Sequence, residues 1–131
     1  MIPIVFISYL AFPQVDLPIP VFIELPAGVT PIDETDFNRQ RYVLRLNKSI
    51  YGIKSSGHNW FEKLRSGLTD RHFVQSQVDK CVFYTDGCII MTYVDDCIII
   101  GNSMVILDSI IDSLRNVDED FELVEEGIID K

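Results

Sequence analysis

Residues 88–100 read CIIMTYVDDCIII, a run in which two carboxylates, Asp95 and Asp96, interrupt an otherwise apolar stretch. The strand-forming residues on both sides of this pair predict a β-hairpin that turns at residues 94–96. Two like charges about 4 Å apart repel by about 4 kcal/mol at an effective dielectric constant of 20. A divalent cation offsets that repulsion, and carboxylate oxygens suit Mg²⁺ or Mn²⁺. A solvated hairpin tip is the alternative, and the spacing alone leaves both interpretations open.

The segments around this hairpin predict an α+β domain. Asp86-Gly87 is a strong turn signal, and it joins the strand at Cys81–Tyr84 to the first strand of the hairpin. Apolar residues at helical spacing predict helices over residues 56–71 and 103–117, each with one apolar face. We expect both helices to pack on one face of an antiparallel sheet. The other strand candidates are Ile2–Phe12, Val21–Leu25, Tyr42–Leu46 and Phe121–Val124.

Local signals indicate where these elements begin and end. Ser56 is predicted to cap the first helix, and Gly101-Asn102-Ser103 to cap the second. Pro18 and Pro20 are expected to break up the chain before Val21–Leu25 and to make that segment an edge strand. The three cysteines have no metal-binding spacing and lie among apolar residues, so they are predicted to be small core residues in a reducing compartment: Cys81, Cys88 and Cys97.

Composition excludes several classes of protein. With 47% hydrophobic and 24% charged residues, the chain is neither a disordered tail nor a low-complexity linker. No apolar stretch is long enough for a transmembrane helix, so we expect no membrane partner. The net charge of −9 is unevenly divided, because residues 39–80 carry nine basic and three acidic residues whereas residues 81–131 carry two and twelve. Two surfaces with different roles would explain this division, and so would chance.

Tyr93-Val94-Asp95-Asp96 between hydrophobic strands resembles the signature of reverse transcriptases. Residues 46–54 (LNKSIYGIK), followed by Trp60, are similar to the K-S-L-Y-G-L-K-Q…W segment of the Ty1/copia-type retrotransposon enzymes. Further similar stretches are residues 11–14 (AFPQ), 23–28 (IELPAG), 73–84 (FVQSQVDKCVFY) and Phe121-Glu122. The resemblance covers about residues 9–131 in the family's order, and residues 1–8 are atypical of the family.

This resemblance implies that residues 1–131 form a single partial domain, the palm region of an RNA-directed DNA polymerase. In the family, two Mg²⁺ ions about 3.5–4 Å apart clamp the attacking and leaving oxygens during nucleotidyl transfer. Asp95 and Asp96 would be the catalytic, metal-binding residues, with Mg²⁺ or Mn²⁺ as the ion and Asp95 as the main ligand. Tyr93, Val94 and Lys54 would lie near the primer end and the incoming nucleotide. The implied partners are an RNA or DNA template-primer and dNTP, and the implied location is intracellular.

The basic middle of the chain supplies candidates for nucleic-acid contacts. Arg45, Lys48 and Lys54 are expected to contact template or primer phosphates, with Lys63 and Arg65 in the same region. Ordinary solvated charge is the alternative. Aromatic residues Tyr51 and Trp60 either stack on bases or belong to the core, and the core is favoured for Trp60. His58 and His72 lack partner ligands at metal spacing and are predicted to be surface or loop residues. The acidic run Asp118–Glu126 is predicted to be a solvated strand edge that nucleic acid would avoid.

Several positions depart from the family pattern. The family's third metal-binding aspartate falls on Ile7, which offers no oxygen, and the nearest acid, Asp16, is expected in a proline-rich loop. Ser55 replaces a glutamine near the nucleotide, and Gly57-His58 replaces a Pro-Arg pair. The fingers would precede Met1 and an RNase H segment would follow Lys131. We therefore expect weak ion binding and no polymerisation by the isolated chain; the alternative is a non-catalytic remnant that binds nucleic acid or protein weakly.

Overall fold

The computed structural model describes residues 3–30, 38–116 and 121–129. The two helices are α1 (Ser56–Asp70) and α2 (Met104–Asn116). The eight strands are β1 (Ile4–Tyr9), β2 (Asp16–Glu24), β3 (Val43–Lys48), β4 (Val74–Gln75), β5 (Val82–Thr85), β6 (Cys88–Tyr93), β7 (Asp96–Gly101) and β8 (Leu123–Ile129). The α+β class predicted from the sequence is confirmed.

Six strands form one antiparallel sheet in the order β4-β5-β6-β7-β1-β8, and β2 pairs with β3 in a separate hairpin. Four strands of the larger sheet and the two helices form a βαββαβ unit. Its elements, in chain order and leaving out the strands between them, are β1, α1, β6, β7, α2 and β8. Strand β1 lies between β7 and the edge strand β8 and pairs with both. Since β1 runs antiparallel to β7 and Ser8 is paired with Asp96, the end of β1 lies beside the tip of the β6–β7 hairpin.

One face of the larger sheet packs against both helices. A row of residues in register across four strands is fully buried, because side chains alternate between the faces of a sheet: Phe83, Ile90, Ile99 and Val5. The same core cluster contains Trp60, Leu64 and Leu68 of α1. It also contains three residues of α2, namely Leu107, Ile111 and Leu114. Both helices therefore cover one face, as their apolar stripes predicted.

The opposite face of the sheet is apolar and open. Val74, Tyr84 and Ile89 are in register on neighbouring strands and are 53%, 45% and 43% exposed. Within residues 3–30, 38–116 and 121–129, no element buries this row.

The predicted hairpin at the acidic pair is present, with Val94 and Asp95 between β6 and β7. The turn at Asp86-Gly87 is also present, and Gly87 takes a φ of 79°, which a glycine adopts without strain. Ser103 caps α2 as predicted, because its Oγ accepts a hydrogen bond from the Ile106 N–H at 3.4 Å.

The predicted cap of α1 is wrong. Helix α1 begins at Ser56, and the residue before it, Ser55, makes no side-chain capping bond. The Ser56 hydroxyl is buried and donates to the Ile50 carbonyl at 2.7 Å. The Ser56 hydroxyl therefore connects the preceding loop to the helix, and it does not cap the helix N–H groups.

The prolines do not break the second strand, because β2 runs through Pro18 and Pro20. Its pairing with β3 shifts between Asp16 and Val21, and this irregularity accommodates residues that lack an N–H donor. The core prediction is wrong for Cys81, which is exposed because β5 begins one residue later; Cys88 and Cys97 are buried as expected. The short strand β4 was not predicted, and residues 118–120 of the acidic run lie outside the described residues.

Candidate active site at the hairpin tip

The Asp95 carboxylate at the hairpin tip accepts a hydrogen bond on each oxygen. The Tyr51 hydroxyl donates to Oδ2, and the Ala11 backbone N–H donates to Oδ1 at 3.3 Å. Ala11 lies two residues after the end of β1, and Tyr51 lies in the loop between β3 and α1. The carboxylate therefore joins three segments that are far apart in the sequence.

Tyr51 is placed by the fold of its loop. The neighbouring Ser49 N–H donates to the Val15 carbonyl at 2.8 Å, and Gly52 takes a φ of 93° that turns the chain back toward α1. The Tyr51 ring lies against Phe12 with a centroid distance of 4.4 Å. Because 51% of Tyr51 remains exposed, the core alternative is wrong for this residue.

Burial, together with the hydrogen bond to Asp95, raises the pKa of Tyr51 to about 12. The negative charges of Asp95 and Asp96 act in the same direction, so both carboxylates influence the same hydroxyl. The phenol therefore keeps its proton at neutral pH and acts there as a hydrogen-bond donor.

Trp60 supports the tip from the core side. Its Nε1–H donates to the Val94 carbonyl at 2.8 Å, and the side chain is only 2% exposed, so the core prediction for Trp60 is confirmed. Val94 itself takes a φ of 52°, a left-handed conformation that costs a β-branched residue free energy. The hydrogen bond from Trp60 helps to hold this strained turn.

Ile7, where the sequence resemblance places the family's third aspartate, lies inside the core. Ile7 is paired with Cys97, the residue after Asp96, and is 1% exposed. Among the described residues, no group of three or more His, Cys, Asp or Glu side chains is arranged to hold a metal ion.

The nearest other acid does not fill this gap. Asp16 begins strand β2, so its predicted place in a proline-rich loop is wrong. Its carboxylate pairs with Lys48 at 2.7 Å, and the hydrogen bond from Lys48 lowers the pKa of Asp16. Asp16 therefore forms an exposed ion pair with Lys48 at the paired strands β2 and β3.

The basic candidates differ in exposure. Arg45, Lys48 and Lys54 are exposed, as a phosphate-binding surface requires, although Lys48 also pairs with Asp16 at 2.7 Å. Lys63 and Arg65 are partly buried: Lys63 donates to the Gln14 carbonyl at 3.0 Å, and Arg65 pairs with Glu62 at 2.7 Å. The histidine candidates are exposed as predicted: His58 and His72.

The tip residues expected near primer and nucleotide are accessible, because Tyr93 and Val94 are both exposed. Sequence reasoning missed the donors to Asp95 and the donor to Val94. These contacts span 84, 44 and 34 residues of sequence, and no local pattern signals them.

A family model described as reverse transcriptase (RNA-dependent DNA polymerase) matches residues 7–131. The chain belongs to the reverse transcriptase family. It is 35% identical over 108 residues to the retrovirus-related Pol polyprotein from transposon RE2 of Arabidopsis thaliana. The matched region covers 79% of this chain and 7% of that protein. It is 34% identical over 74 residues to the transposon Ty1-GR1 Gag-Pol polyprotein of Saccharomyces cerevisiae, covering 56% of this chain and 4% of that protein.

These relatives confirm the Ty1/copia type. The chain spans less than a tenth of the length of the curated relatives it matches. No solved structure matches this reverse transcriptase chain. Across the described residues, no helix is long and apolar enough to cross a membrane.

Proposed function

We propose that this reverse transcriptase chain is one partial domain, the palm portion of an RNA-directed DNA polymerase, and that its own catalytic site is incomplete. The observation that carries this proposal is Ile7. It occupies the position of the family's third aspartate, it lies in register beside the acidic hairpin, and it is buried in the core. On this reading the chain does not polymerise DNA by itself.

Two features support a palm. The βαββαβ unit places the Tyr93–Asp96 hairpin next to the end of β1, so the acidic pair lies at one end of a sheet that helices cover on one face. Asp96 and Tyr93 are exposed at the hairpin tip, where a partner could reach them. Asp95 accepts hydrogen bonds from Tyr51 and Ala11.

The electrostatics of the site support the lack of activity. When bound, divalent ions neutralise the charge that develops on the attacking and leaving oxygens. Asp95 and Asp96 would hold one ion weakly, because Mg²⁺ is bound well only when further oxygens complete its octahedral shell. Losing one carboxylate removes part of this stabilisation, and each 1.4 kcal/mol lost lowers the rate about tenfold.

Primer extension tests the proposal directly. The chain is incubated with an RNA or DNA template-primer, dNTP and either Mg²⁺ or Mn²⁺, beside an Asp95→Asn control. We expect no extension above that control. Extension by the native chain that disappears in Asp95→Asn would show that the site works without a third carboxylate.

Ion stoichiometry tests the site independently of the rest of a polymerase. We expect at most one Mn²⁺ per chain, bound with a dissociation constant of about 1 mM or weaker. Binding of two Mn²⁺ ions at micromolar concentrations would contradict an incomplete site, because it would require ligands beyond the two aspartates.

Weak nucleic-acid binding is a second candidate function, favoured by the exposed basic side chains of Arg45, Lys48 and Lys54. Phosphate contacts release counterions, so affinity should fall steeply with salt and show no sequence preference. The double variant Lys48→Ala/Lys54→Ala should bind a labelled oligonucleotide more weakly in fluorescence anisotropy. Its salt slope should fall by about 2, or about 1 for each contact removed.

A matched control is Lys80→Ala/Arg115→Ala, which changes the net charge equally but alters other parts of the chain. This control should keep the salt slope of the native chain. Equal binding by the native chain and Lys48→Ala/Lys54→Ala would exclude this surface as the site of contact.

A further inference from the structure

We propose that Tyr51 is a positioning residue whose hydroxyl holds the Asp95 carboxylate and competes with a divalent cation for it. The inference rests on the proposed function, because it takes the hairpin tip as the ion-binding part of a palm. It goes further by assigning a role to a residue outside the acidic hairpin.

The Tyr51 hydroxyl contacts the Asp95 carboxylate directly. It donates to Oδ2 while the Ala11 N–H donates to Oδ1, so both carboxylate oxygens have a protein donor. The Phe12 ring lies 4.4 Å from the Tyr51 ring, centroid to centroid, and restricts where the hydroxyl can point. A cation at Asp95 would therefore meet a carboxylate that already accepts a hydrogen bond on each oxygen.

The chemistry of the phenol makes it a competitor. An oxygen that accepts a hydrogen bond from a neutral hydroxyl offers a cation less of its lone-pair density, and a cation at that oxygen repels the hydroxyl proton. A tyrosine hydroxyl is neutral at neutral pH, so it does not become an anionic ligand that would assist ion binding. Cation binding at Oδ2 therefore competes with this hydrogen bond for the same oxygen.

The chain carries its own reporter for this event. Trp60 is the only tryptophan, and its indole N–H donates to the carbonyl of Val94, the residue before Asp95. Paramagnetic Mn²⁺ bound at the tip should quench Trp60 fluorescence. The electron paramagnetic resonance signal of free Mn²⁺ measures the same binding without the tryptophan.

The experiment titrates Mn²⁺ alone into the native chain and four variants at neutral pH: Tyr51→Phe, Tyr84→Phe, Asp95→Asn and Tyr51→Phe/Asp95→Asn. Tyr51→Phe removes only the hydroxyl and should bind Mn²⁺ about tenfold more tightly, as expected when one hydrogen bond to a charged group no longer competes. Tyr84→Phe removes a hydroxyl from β5 and should match the native chain. Tyr51→Phe/Asp95→Asn should bind no more tightly than Asp95→Asn, because the effect of the hydroxyl acts through Asp95.

Unchanged or weaker Mn²⁺ binding by Tyr51→Phe would overturn the proposal, and so would a gain in affinity that persists in the Asp95→Asn background. Far-ultraviolet circular dichroism checks that each variant is folded. Should Tyr51→Phe fail to fold, Phe12→Leu keeps the hydroxyl but removes the ring that restricts it. That variant should also bind Mn²⁺ more tightly, and unchanged or weaker binding would overturn the proposal. The two proposals are tested by different measurements. Mn²⁺ binding tests the role of Tyr51, whereas primer extension by the native chain would overturn the proposed function.

Discussion

Replacing Trp60 with Phe tests how strongly the core holds the hairpin tip. The change removes the indole N–H that donates to the Val94 carbonyl at 2.8 Å, and the smaller ring leaves space at a side chain that is 2% exposed. Loss of the hydrogen bond costs about 1 kcal/mol net. Imperfect filling of the space costs about 1–2 kcal/mol, a fraction of a full aromatic-to-alanine truncation. We therefore expect the free energy of unfolding to fall by about 2–3 kcal/mol.

Urea unfolding followed by circular dichroism measures this loss, because the variant has no tryptophan to report by fluorescence. Phe61→Leu is the matched control, since it reduces an aromatic side chain on the same helix and leaves the bond to Val94 intact. Phe61 is only partly buried and packs on Phe83 at a centroid distance of 6.4 Å, so its loss should be smaller, about 1 kcal/mol. Equal losses in the two variants, or a loss under about 0.5 kcal/mol for Trp60→Phe, would refute the role of the hydrogen bond.

Gly101→Ala should lower the free energy of unfolding by about 1–3 kcal/mol in a urea titration, because a Cβ there would lie 2.6 Å from the Leu107 side chain in the core; an unchanged midpoint would contradict this packing. A thiol reagent should label Cys81 in the native chain and label Cys88 and Cys97 only after unfolding; rapid labelling of all three would contradict their burial. Burial raises the pKa of the Cys88 thiol from 9.0 to about 11, so the neutral thiol stabilises the fold fully below pH 9.0 and this contribution is lost as the pH rises toward 11. Cys88→Ala should therefore show a smaller loss of unfolding free energy between these pH values than the native chain.

The elements that carry a strong local period could be predicted from the sequence. The hairpin of β6 and β7 follows from apolar runs on both sides of an acidic pair, and the helices follow from their 3.6-residue stripes. Strand β2 could not be delimited in this way, because prolines are tolerated there only through a register shift against β3. That shift is a property of the pairing and leaves no trace in the composition of one strand.

The candidate active site likewise has features that the local sequence indicates and features that it does not. Asp95 and Asp96 are evident as charged residues in an apolar run, and their neighbours Tyr93 and Val94 are adjacent in sequence. The partners of Asp95 are not evident from the sequence, because the contact of Tyr51 with Asp95 depends on the packing of its loop against Phe12. Cys81 was predicted to be buried because its sequence neighbours are apolar. The prediction is wrong because strand β5 begins one residue later, which the neighbours do not indicate.

The burial of Ile7 limits what a carboxylate at this position could do. The substitution Ile7→Asp would place a carboxylate among Val5, Cys97 and the helices, at a position that is 1% exposed. An unpaired carboxylate in such surroundings either takes up a proton or destabilises the fold by several kcal/mol, and a protonated acid is a poor metal ligand. Placing a metal-binding carboxylate at this position therefore requires a change in the packing around the strand as well as the substitution itself.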